Sequence, residues 1–243
     1  MNDMRNPIRD LRASGSALLG TYVRLPTAAA LEAVAEAGLD FVRFDQFRLA
    51  WDDSTLGGLV QTAKSLGLLT WARAGQDRPE IARVIRSGVE VITFPDVGSA
   101  RVARQLVSMV SEASQLATAA PDVVIGCQVE DADGLANYKE IVAVDGVDVI
   151  HTGRTDLSHA LGVPGEQFHP RVLEAERMIA EAALDAGKEV SLLYPLTPGG
   201  LERTAGWLAA GVRIVAMDTD YHVLRAAYAT AAECVRAAMP DSR

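Results

Sequence analysis

Short apolar runs and amphipathic stretches alternate along almost the whole chain. Eight runs rich in Val, Ile, Leu and Phe suit buried parallel strands, and six of them follow a glycine at the end of a helical pattern. These six glycines are Gly38, Gly67, Gly88, Gly146, Gly187 and Gly211, and the other two runs cover 18–22 and 123–129. Glycine just past a last helical turn accepts the left-handed conformation that ends a helix. The pattern therefore predicts strands that follow helices.

Between these runs, apolar positions recur with helical spacing. The predicted helices cover 27–37, 54–66, 78–87, 99–116, 132–141, 170–186, 198–210 and 222–238. Strict alternation of eight strands with eight helices is typical of an α/β (β/α)8 TIM barrel. A doubly wound open sheet is the competing architecture, but the residues from Gly20 to Arg24 lack its glycine-rich phosphate turn. With no linker or shift in composition, we expect one barrel domain over 1–243, with 1–14 as an N-terminal extension.

Composition and charge narrow the class of protein. A chain of 243 residues that is 49% hydrophobic can bury a full core, and its formal charge of -9, without runs of Lys or Arg, argues against nucleic acid or an anionic membrane as partner. The first 15 residues carry no apolar signal-peptide core, and no later stretch is apolar for long enough to span a bilayer. We therefore expect a soluble, cytoplasmic protein. Cys127 and Cys234 have no metal-ligand spacing, so two buried free thiols are expected.

The chemistry of such a barrel lies at the carboxyl ends of its strands. Six acids and four arginines occupy these positions with a glutamine and a tyrosine: Arg24, Asp45, Arg48, Arg73, Asp96, Gln128, Glu130, Arg154, Asp156, Tyr194, Asp218 and Asp220. Any single charge here is ordinarily a solvated loop residue or a helix cap. Glu130, Asp156 and Arg73 are different, because three strands contribute compatible chemistry to one barrel mouth.

Two carboxylates can hold one cation at this mouth. Glu130 and Asp156 follow successive strands and leave coordination positions for water and substrate, which suits Mg²⁺, Mn²⁺ or Co²⁺. No His or Cys lies at these strand ends, so a structural zinc site is not expected.

The order of several short segments resembles the HpcH/HpaI aldolase family over nearly the whole chain from about Gly15. The matching segments are Leu19-Gly20-Thr21-Tyr22, Ala37-Gly38-Leu39-Asp40-Phe41, Asp45, Arg73, Phe94-Pro95, Gln128-Val129-Glu130, Gly146-Val147-Asp148, Gly153, Asp156-Leu157-Ser158 and 216–220. The Gln-x-Glu and Gly-x-x-Asp-Leu-Ser segments are the most specific of them. The resemblance implies a class II, metal-dependent aldolase that acts on pyruvate-type 2-oxo acids.

The resemblance also implies roles for individual residues. Glu130 and Asp156 would bind the metal, and Arg73 would contact the keto oxygen that becomes an enolate. Gln128 would neighbour the substrate, and the backbone around Thr155 and Asp156, in the segment that begins at Gly153, would hold the pyruvate carboxylate. A homo-oligomer is implied as well, either a trimer or a hexamer, commonly a hexamer with exchanged terminal helices.

The departures from the family concern proton transfer. Family members usually carry Asp-Gly-Glu-His after the second strand, whereas this chain has Asp45-Gln46-Phe47-Arg48. A guanidinium cannot shuttle a proton at neutral pH, so the usual catalytic His has no counterpart at Arg48. Arg154 and Thr155 replace a Pro-Ala pair. We predict Asp45, Arg48 and Arg73 as catalytic residues, with Arg48 and Arg154 as extra contacts for a doubly charged anion.

These features leave several reactions open. One is aldol cleavage or formation of 4-hydroxy-2-oxo acids with a substitute base, and another is decarboxylation of an oxaloacetate-like acid, which needs no C–H base. An enolate-condensing synthase of the citrate-synthase or macrophomate-synthase type and a non-catalytic barrel are alternatives. Candidates for the base are His151, His159, His169, His222, Tyr194, Asp45 and a metal-bound water. Of these, His151 lies within a strand and is more typical of a packed residue.

Overall fold

The computed structural model describes residues 8, 11–117 and 122–239. Eight strands form one closed barrel in the order β1 to β8, and every neighbouring pair is parallel. Their bounds are β1 Leu18–Val23, β2 Phe41–Asp45, β3 Leu69–Arg73, β4 Val91–Phe94, β5 Val124–Val129, β6 Val149–Thr152, β7 Glu189–Tyr194 and β8 Ile214–Thr219. The prediction of a (β/α)8 barrel is confirmed.

Helices precede the first strand, connect successive strands and follow the last strand. They are α1 Leu11–Ser14, α2 Ala28–Glu36, α3 Gln46–Leu49, α4 Asp53–Ser65, α5 Arg78–Arg86, α6 Ala100–Leu116, α7 Ala132–Val142, α8 Arg154–Ala160, α9 Pro170–Asp185, α10 Pro198–Ala209 and α11 Asp220–Ala237. The eight helices predicted from periodicity correspond to α2, α4 to α7 and α9 to α11. The short helices α1, α3 and α8 were not predicted, because four to seven residues are too few to show a helical period. Most of the predicted N-terminal extension lies outside the described residues.

The glycines at the helix ends behave as the sequence predicts. All six have a positive φ, between 78° and 104°. A residue with a Cβ is strained in this conformation, so glycine ends each helix sharply and releases the chain into the next strand.

Two apolar cores hold the barrel together. The larger core lies between the strands and the surrounding helices, and the smaller core fills the barrel from the side where the strands begin. The smaller core consists of Ile8, Leu11, Phe41, Leu69, Trp71, Val91, Val124, Val149, Ile214 and Ala216. Because inward residues alternate along a strand, the positions two or four residues further on must line the opposite, carboxyl-terminal half of the barrel.

The last helix, α11, is packed unlike the others. None of its residues is buried, and its exposed apolar side chains include Leu224, Tyr228 and Val235. Cys234 on this helix is exposed, so the expectation of two buried thiols is wrong for Cys234 and right for Cys127. Among the described residues, no helix combines the length and the apolar character that crossing a membrane requires.

Candidate active site

A cavity of about 530 Å³ opens at the carboxyl ends of the strands. Eight of the nine predicted site residues line it: Asp45, Arg48, Arg73, Gln128, Gly153, Arg154, Thr155 and Asp156. The ninth, Glu130, lies directly behind the wall and is only 2% exposed. The barrel therefore brings together residues that are more than 100 positions apart in the sequence.

Arg73 and Asp45 form a buried ion pair at the ends of β3 and β2. Arg73 Nε donates to Asp45 Oδ1 at 3.0 Å, and Arg73 Nη2 donates to Asp45 Oδ2 at 2.5 Å. The same carboxylate accepts a hydrogen bond from the backbone N–H of Arg48 and caps α3. This two-pronged contact fixes the plane of the Arg73 guanidinium, and no described group accepts a hydrogen bond from its Nη1.

Glu130 follows β5 and is held by two donors. Gln128 Nε2 donates to its Oε2 at 2.5 Å, and the backbone N–H of Asp96 donates to its Oε1 at 3.3 Å. A Cβ at Gly153, the residue that follows β6, would lie 1.8 Å from Glu130 Oε2, so a larger residue there would displace the carboxylate from its present position. Burial raises the pKa of Glu130 to about 8, and the negative charges of Asp156 and Asp96 add to this effect.

Asp156 lies on the first turn of α8, at the cavity wall. Arg48 Nη2 approaches its Oδ2 at 3.4 Å, and both side chains are well exposed. Asp96, at the end of β4, has a φ of 53°, a strained value for a residue other than glycine. Burial and the charge of Asp156 raise the pKa of Asp96 as well. Asp96, Glu130 and Asp156 are therefore close enough to repel one another.

The repulsion between these carboxylates bears on whether they could hold a cation. Among the described residues, no group of three or more His, Cys, Asp or Glu side chains has a metal-holding arrangement. Glu130 and Asp156 nonetheless supply one carboxylate each. Mg²⁺ sites commonly use one or two carboxylates together with oxygens of water and substrate. A divalent cation would also remove the repulsion that raises the pKa of Glu130. The donor set fits a hard divalent cation.

Arg154 is placed differently from the prediction. Its Nη1 donates to Glu176 Oε1 at 3.0 Å, its Nη2 donates to the carbonyl of Leu193 at 2.5 Å, and its guanidinium stacks 3.9 Å from the centre of the Tyr194 ring. Tyr194 and Thr152 also donate to Glu176. Arg154 therefore belongs to a buried internal network in the cavity wall, which does not favour its predicted role as a free contact for substrate charge.

The histidines separate clearly in the structure. His159 and His169 do not line the cavity, whereas His151 and His222 do. His222 Nδ1 lies 3.0 Å from Asp218 Oδ1 at the cavity rim, and Asp218 has a φ of 55°. This is the arrangement in which a carboxylate orients an imidazole.

His151 is fixed by its neighbours. Trp71 Nε1 donates to Thr93 Oγ1 at 2.7 Å, so the single hydroxyl proton of Thr93 is left to donate to His151 Nε2 at 3.0 Å. Burial lowers the pKa of His151 well below its ordinary value, and the charges of Arg43 and Arg73 lower it further. A Cβ at Gly126 would lie 2.5 Å from Thr93 Oγ1, so this glycine makes room for the pair. His151 is a packed, neutral residue whose Nε2 lone pair is occupied.

The bottom of the cavity contains polar residues, of which Arg43 and Ser191 were not predicted from the sequence. We call this layer the floor. It consists of Arg43, His151 and Ser191, which line the cavity, together with Trp71 and Thr93, which do not line it but contact Arg43 and His151. Arg43 lies in the middle of β2 and is not among the site residues predicted from the sequence. One charged residue within such a run is the signal that could have identified it.

Comparison with known proteins identifies the family of the chain. The model of the HpcH/HpaI aldolase/citrate lyase family matches residues 73–227, which is more than half of the chain. Hydroxypyruvate/pyruvate aldolase of Delftia acidovorans is 28% identical, with 91% of this chain and 89% of the relative covered. 4-Hydroxy-2-oxovalerate aldolase of Rhodococcus jostii is 27% identical, with 91% and 93% covered.

A solved structure extends the comparison to synthases. The crystal structure of citrate synthase SbnG has a TM-score of 0.81 at 25% identity, with 94% of this chain and 98% of that chain covered. These relatives are enzymes that break or form carbon–carbon bonds. The extent of the family match and the closed barrel show that the chain belongs to the HpcH/HpaI aldolase/citrate lyase family of enzymes.

Proposed function

We propose that the protein is a divalent-metal-dependent carbon–carbon lyase that acts on small 2-oxo acids through a pyruvate-type enolate. The observation that carries the proposal is the proximity of two mutually repelling carboxylates, Asp156 on the cavity wall and Glu130 buried behind it, beside a cavity that Arg73 also lines. The names of the aldolase relatives support the same substrate class. An enzyme of this family is expected to have such a site, and a non-catalytic barrel is not.

In this proposal Glu130 and Asp156 would hold Mg²⁺, Mn²⁺ or Co²⁺. When bound, the cation supplies Lewis-acid stabilisation of the negative charge that develops on the keto oxygen. Gln128 would orient Glu130 through its short hydrogen bond, as partners of metal ligands commonly do.

Arg73 would supply the second stabilising charge. Asp45 fixes its Nε and Nη2, so Nη1 remains to donate to the oxygen that becomes the enolate. A donor that is already oriented before the reaction needs no reorganisation when charge develops. Asp45 would thus act through Arg73 by holding it in place.

Aldol chemistry also needs a base, and we propose His222 for this role. Asp218 Oδ1 would accept from His222 Nδ1–H, so in the neutral imidazole Nε2 would be the basic nitrogen, on a residue that lines the cavity. Nε2 would take the proton of the C4 hydroxyl of a 4-hydroxy-2-oxo acid. The C3–C4 bond then breaks, its electron pair forms the enolate, and C4 becomes the aldehyde carbonyl. Return of a proton to C3 gives pyruvate.

Two other reactions use the same enolate. Arg48 stands where the family usually has its base and lies within 3.4 Å of Asp156, which suits decarboxylation of an oxaloacetate-like acid without C–H abstraction. Similarity to a citrate synthase structure makes condensation of the enolate with another electrophile the remaining alternative.

A pyruvate-release assay tests the proposal. Metal-stripped protein is resupplied with Mg²⁺, Mn²⁺ or Co²⁺ and offered oxaloacetate and a panel of 4-hydroxy-2-oxo acids. Metal-dependent pyruvate from the hydroxy acids supports the aldolase, and release from oxaloacetate alone supports the decarboxylase. If the protein binds metal but releases pyruvate from none of these substrates, both the aldolase and the decarboxylase would be contradicted.

The base has its own test. His222→Asn keeps a hydrogen-bonding side chain but removes the basic nitrogen, so aldol cleavage should fall about a hundredfold. Oxaloacetate decarboxylation by the same variant should change little. His169→Asn, which alters a histidine outside the cavity, is the matched control. Unchanged aldol cleavage in His222→Asn would remove His222 from the mechanism.

We also propose that α11 covers its apolar side chains in a homo-oligomer, a trimer or a hexamer. Its exposed Leu224, Tyr228 and Val235 support this. Light scattering on Tyr228→Glu should show a shift to smaller species, and a wild-type protein that is monomeric at micromolar concentration would contradict the proposal. A cytoplasmic location stays a prediction.

A further inference from the structure

Arg43 is a buried cation whose charge is matched by no carboxylate among the described residues. It points from β2 into the cavity and is 2% exposed. Its Nη1 donates to the Tyr22 hydroxyl at 3.2 Å and its Nη2 donates to Ser191 Oγ at 2.6 Å, whereas Nε is buried without a partner. Described protein groups therefore accept only two hydrogen bonds from a group that offers five.

The orientation of this guanidinium is fixed by aromatic rings. Its central carbon lies 3.8 Å from the centre of the Trp71 ring and 5.4 Å from that of Phe41. A stacked guanidinium keeps its face against the ring and directs its N–H groups outward from the edge. The edge of Arg43 is thus set in place before any ligand arrives.

The other charges of the cavity do not compensate Arg43. The nearby charge that acts on it is a second cation, Arg73, and the carboxylate of Asp45 is already engaged by Arg73. Burial of a cation without a partner is strongly unfavourable. An arginine in this position is explained if a ligand supplies the missing anion.

We propose that the floor around Arg43 is a subsite for a carboxylate group of the substrate, separate from the 2-oxo acid end that Arg73 contacts. This rests on the proposed function, and it makes dicarboxylic 2-oxo acids the preferred substrate class. The hydroxyls of Tyr22 and Ser191 accept from Arg43, so each keeps its own proton to donate to the same carboxylate. Arginine and two hydroxyls form a donor set that suits a carboxylate.

The depth of the subsite agrees with a two-ended substrate. Arg43 pairs with Trp71, and Asp45 pairs with Arg73, two residues further along the same strands. At a rise of about 3.3 Å per residue, the backbone of Arg43 lies roughly 7 Å before that of Asp45 along β2, on the deeper side of the cavity. A substrate with its second carboxylate several bonds from the oxo group can reach both arginines.

A matched pair of inert ligands tests the subsite directly. 2-Oxoglutarate and 2-oxopentanoate have the same chain length and differ in the second carboxylate. Titration calorimetry with Mg²⁺ present should show that wild-type protein binds 2-oxoglutarate at least about tenfold more tightly. Arg43→Met should abolish this preference and leave the affinity for 2-oxopentanoate unchanged. Arg43→Lys should retain part of the preference, and Arg101→Met, which alters an exposed arginine on α6, should retain all of it.

Thermal unfolding separates binding from a purely structural role. If Arg43 serves a ligand, Arg43→Met removes an unpaired buried charge, so the ligand-free midpoint should stay constant or rise. The rise caused by 2-oxoglutarate should then shrink. A purely structural Arg43 would give the opposite result, a lower ligand-free midpoint with the ligand preference intact. That result, or a wild-type protein without preference for 2-oxoglutarate, would overturn the proposal.

The pyruvate-release assay keeps the two proposals distinguishable. A preference for 2-oxoglutarate that depends on Arg43, without pyruvate release from any substrate, would retain the subsite and reject the lyase. Pyruvate release with equal efficiency from substrates with and without a second carboxylate, unchanged in Arg43→Met, would retain the lyase and reject the subsite.

Discussion

Arg73 and Arg43 point into the same barrel from neighbouring strands, yet they are held in opposite ways. Arg73, at the mouth, has a bidentate carboxylate partner in Asp45. Arg43, at the floor, has two neutral hydroxyl partners and an aromatic ring. The protein orients both guanidinium groups, but it balances the charge of Arg73 with a carboxylate and leaves the charge of Arg43 available to a ligand. The mouth is therefore suited to chemistry and the floor to recognition.

The carboxylates follow the same division. Asp45, Glu130, Asp156 and Asp96 gather at the mouth, and Arg43, Trp71, Thr93, His151 and Ser191 form a floor without a carboxylate. Repelling carboxylates attract a cation, and an unpaired arginine attracts an anion. The region suited to a cation, at the mouth, and the region suited to an anion, at the floor, are thus separated within the barrel.

Glu130→Gln should have the largest effect at the mouth. The substitution keeps the size of the side chain but removes one of the two charges that would hold the cation, so turnover should fall about a thousandfold. Calorimetry should show weaker Mn²⁺ binding in parallel. Glu140→Gln, at an exposed position on α7, is the control. Wild-type turnover in Glu130→Gln would reject the metal assignment.

Arg73→Met should reduce turnover about 10² to 10³-fold, because it removes a donor aimed at the enolate oxygen. It should also cost about 3–5 kcal/mol in the free energy of unfolding, because Asp45 is left buried without its partner. The double variant Asp45→Asn with Arg73→Met removes both charges, so urea unfolding should show recovered stability without recovered turnover. Recovery of turnover would mean that Arg73 acts only structurally.

Metal affinity should depend on pH at the mouth. Since the pKa of Glu130 is raised to about 8, the cation must displace a proton below that pH, and its affinity should rise roughly tenfold per pH unit until pH 8. The same carboxyl ionises near pH 4.3 in the unfolded chain. The unfolded chain therefore binds fewer protons between these values, and the contribution of Glu130 to metal-free stability should decrease as pH rises. Metal affinity that is flat from pH 6 to 8 would contradict this.

His151→Ala should have the smallest effect on turnover, a change of only a few-fold at saturating metal. His151 is buried at the floor, and its Nε2 already accepts a hydrogen bond from Thr93. Loss of its packing should nonetheless lower the free energy of unfolding by about 1–3 kcal/mol. A hundredfold loss of turnover without loss of stability would place the base at the floor and break the division between the two layers.

Much of the molecule could be predicted from the chain alone. Helix and strand periods and the glycines between them predicted the barrel, because these signals are local and repeat eight times. The strand-end rule then predicted that Asp45, Arg73, Gln128 and Asp156 share one cavity. Roles in metal binding and catalysis remain predictions for each of these residues.

Other features could not be predicted, because they depend on distances and burial that exist only in the folded chain. Arg154 has the same charge as Arg73, but its burial beside Glu176 turns it into a part of the wall. Gly153 matters through its distance to Glu130, and His222 gains its interest from Asp218 and the cavity.

The sequence by itself determined the fold and the ring of charges, since strand order and the carboxyl-end rule follow from periodicity. Only the tertiary structure decided which charges are paired. Pairing of β2 with β3 brings Asp45 to Arg73, and packing of α9 against α8 brings Glu176 to Arg154. Arg43 is left facing Trp71, Tyr22 and Ser191. Pairing energy depends on distance and burial, and neither quantity is written in the order of residues.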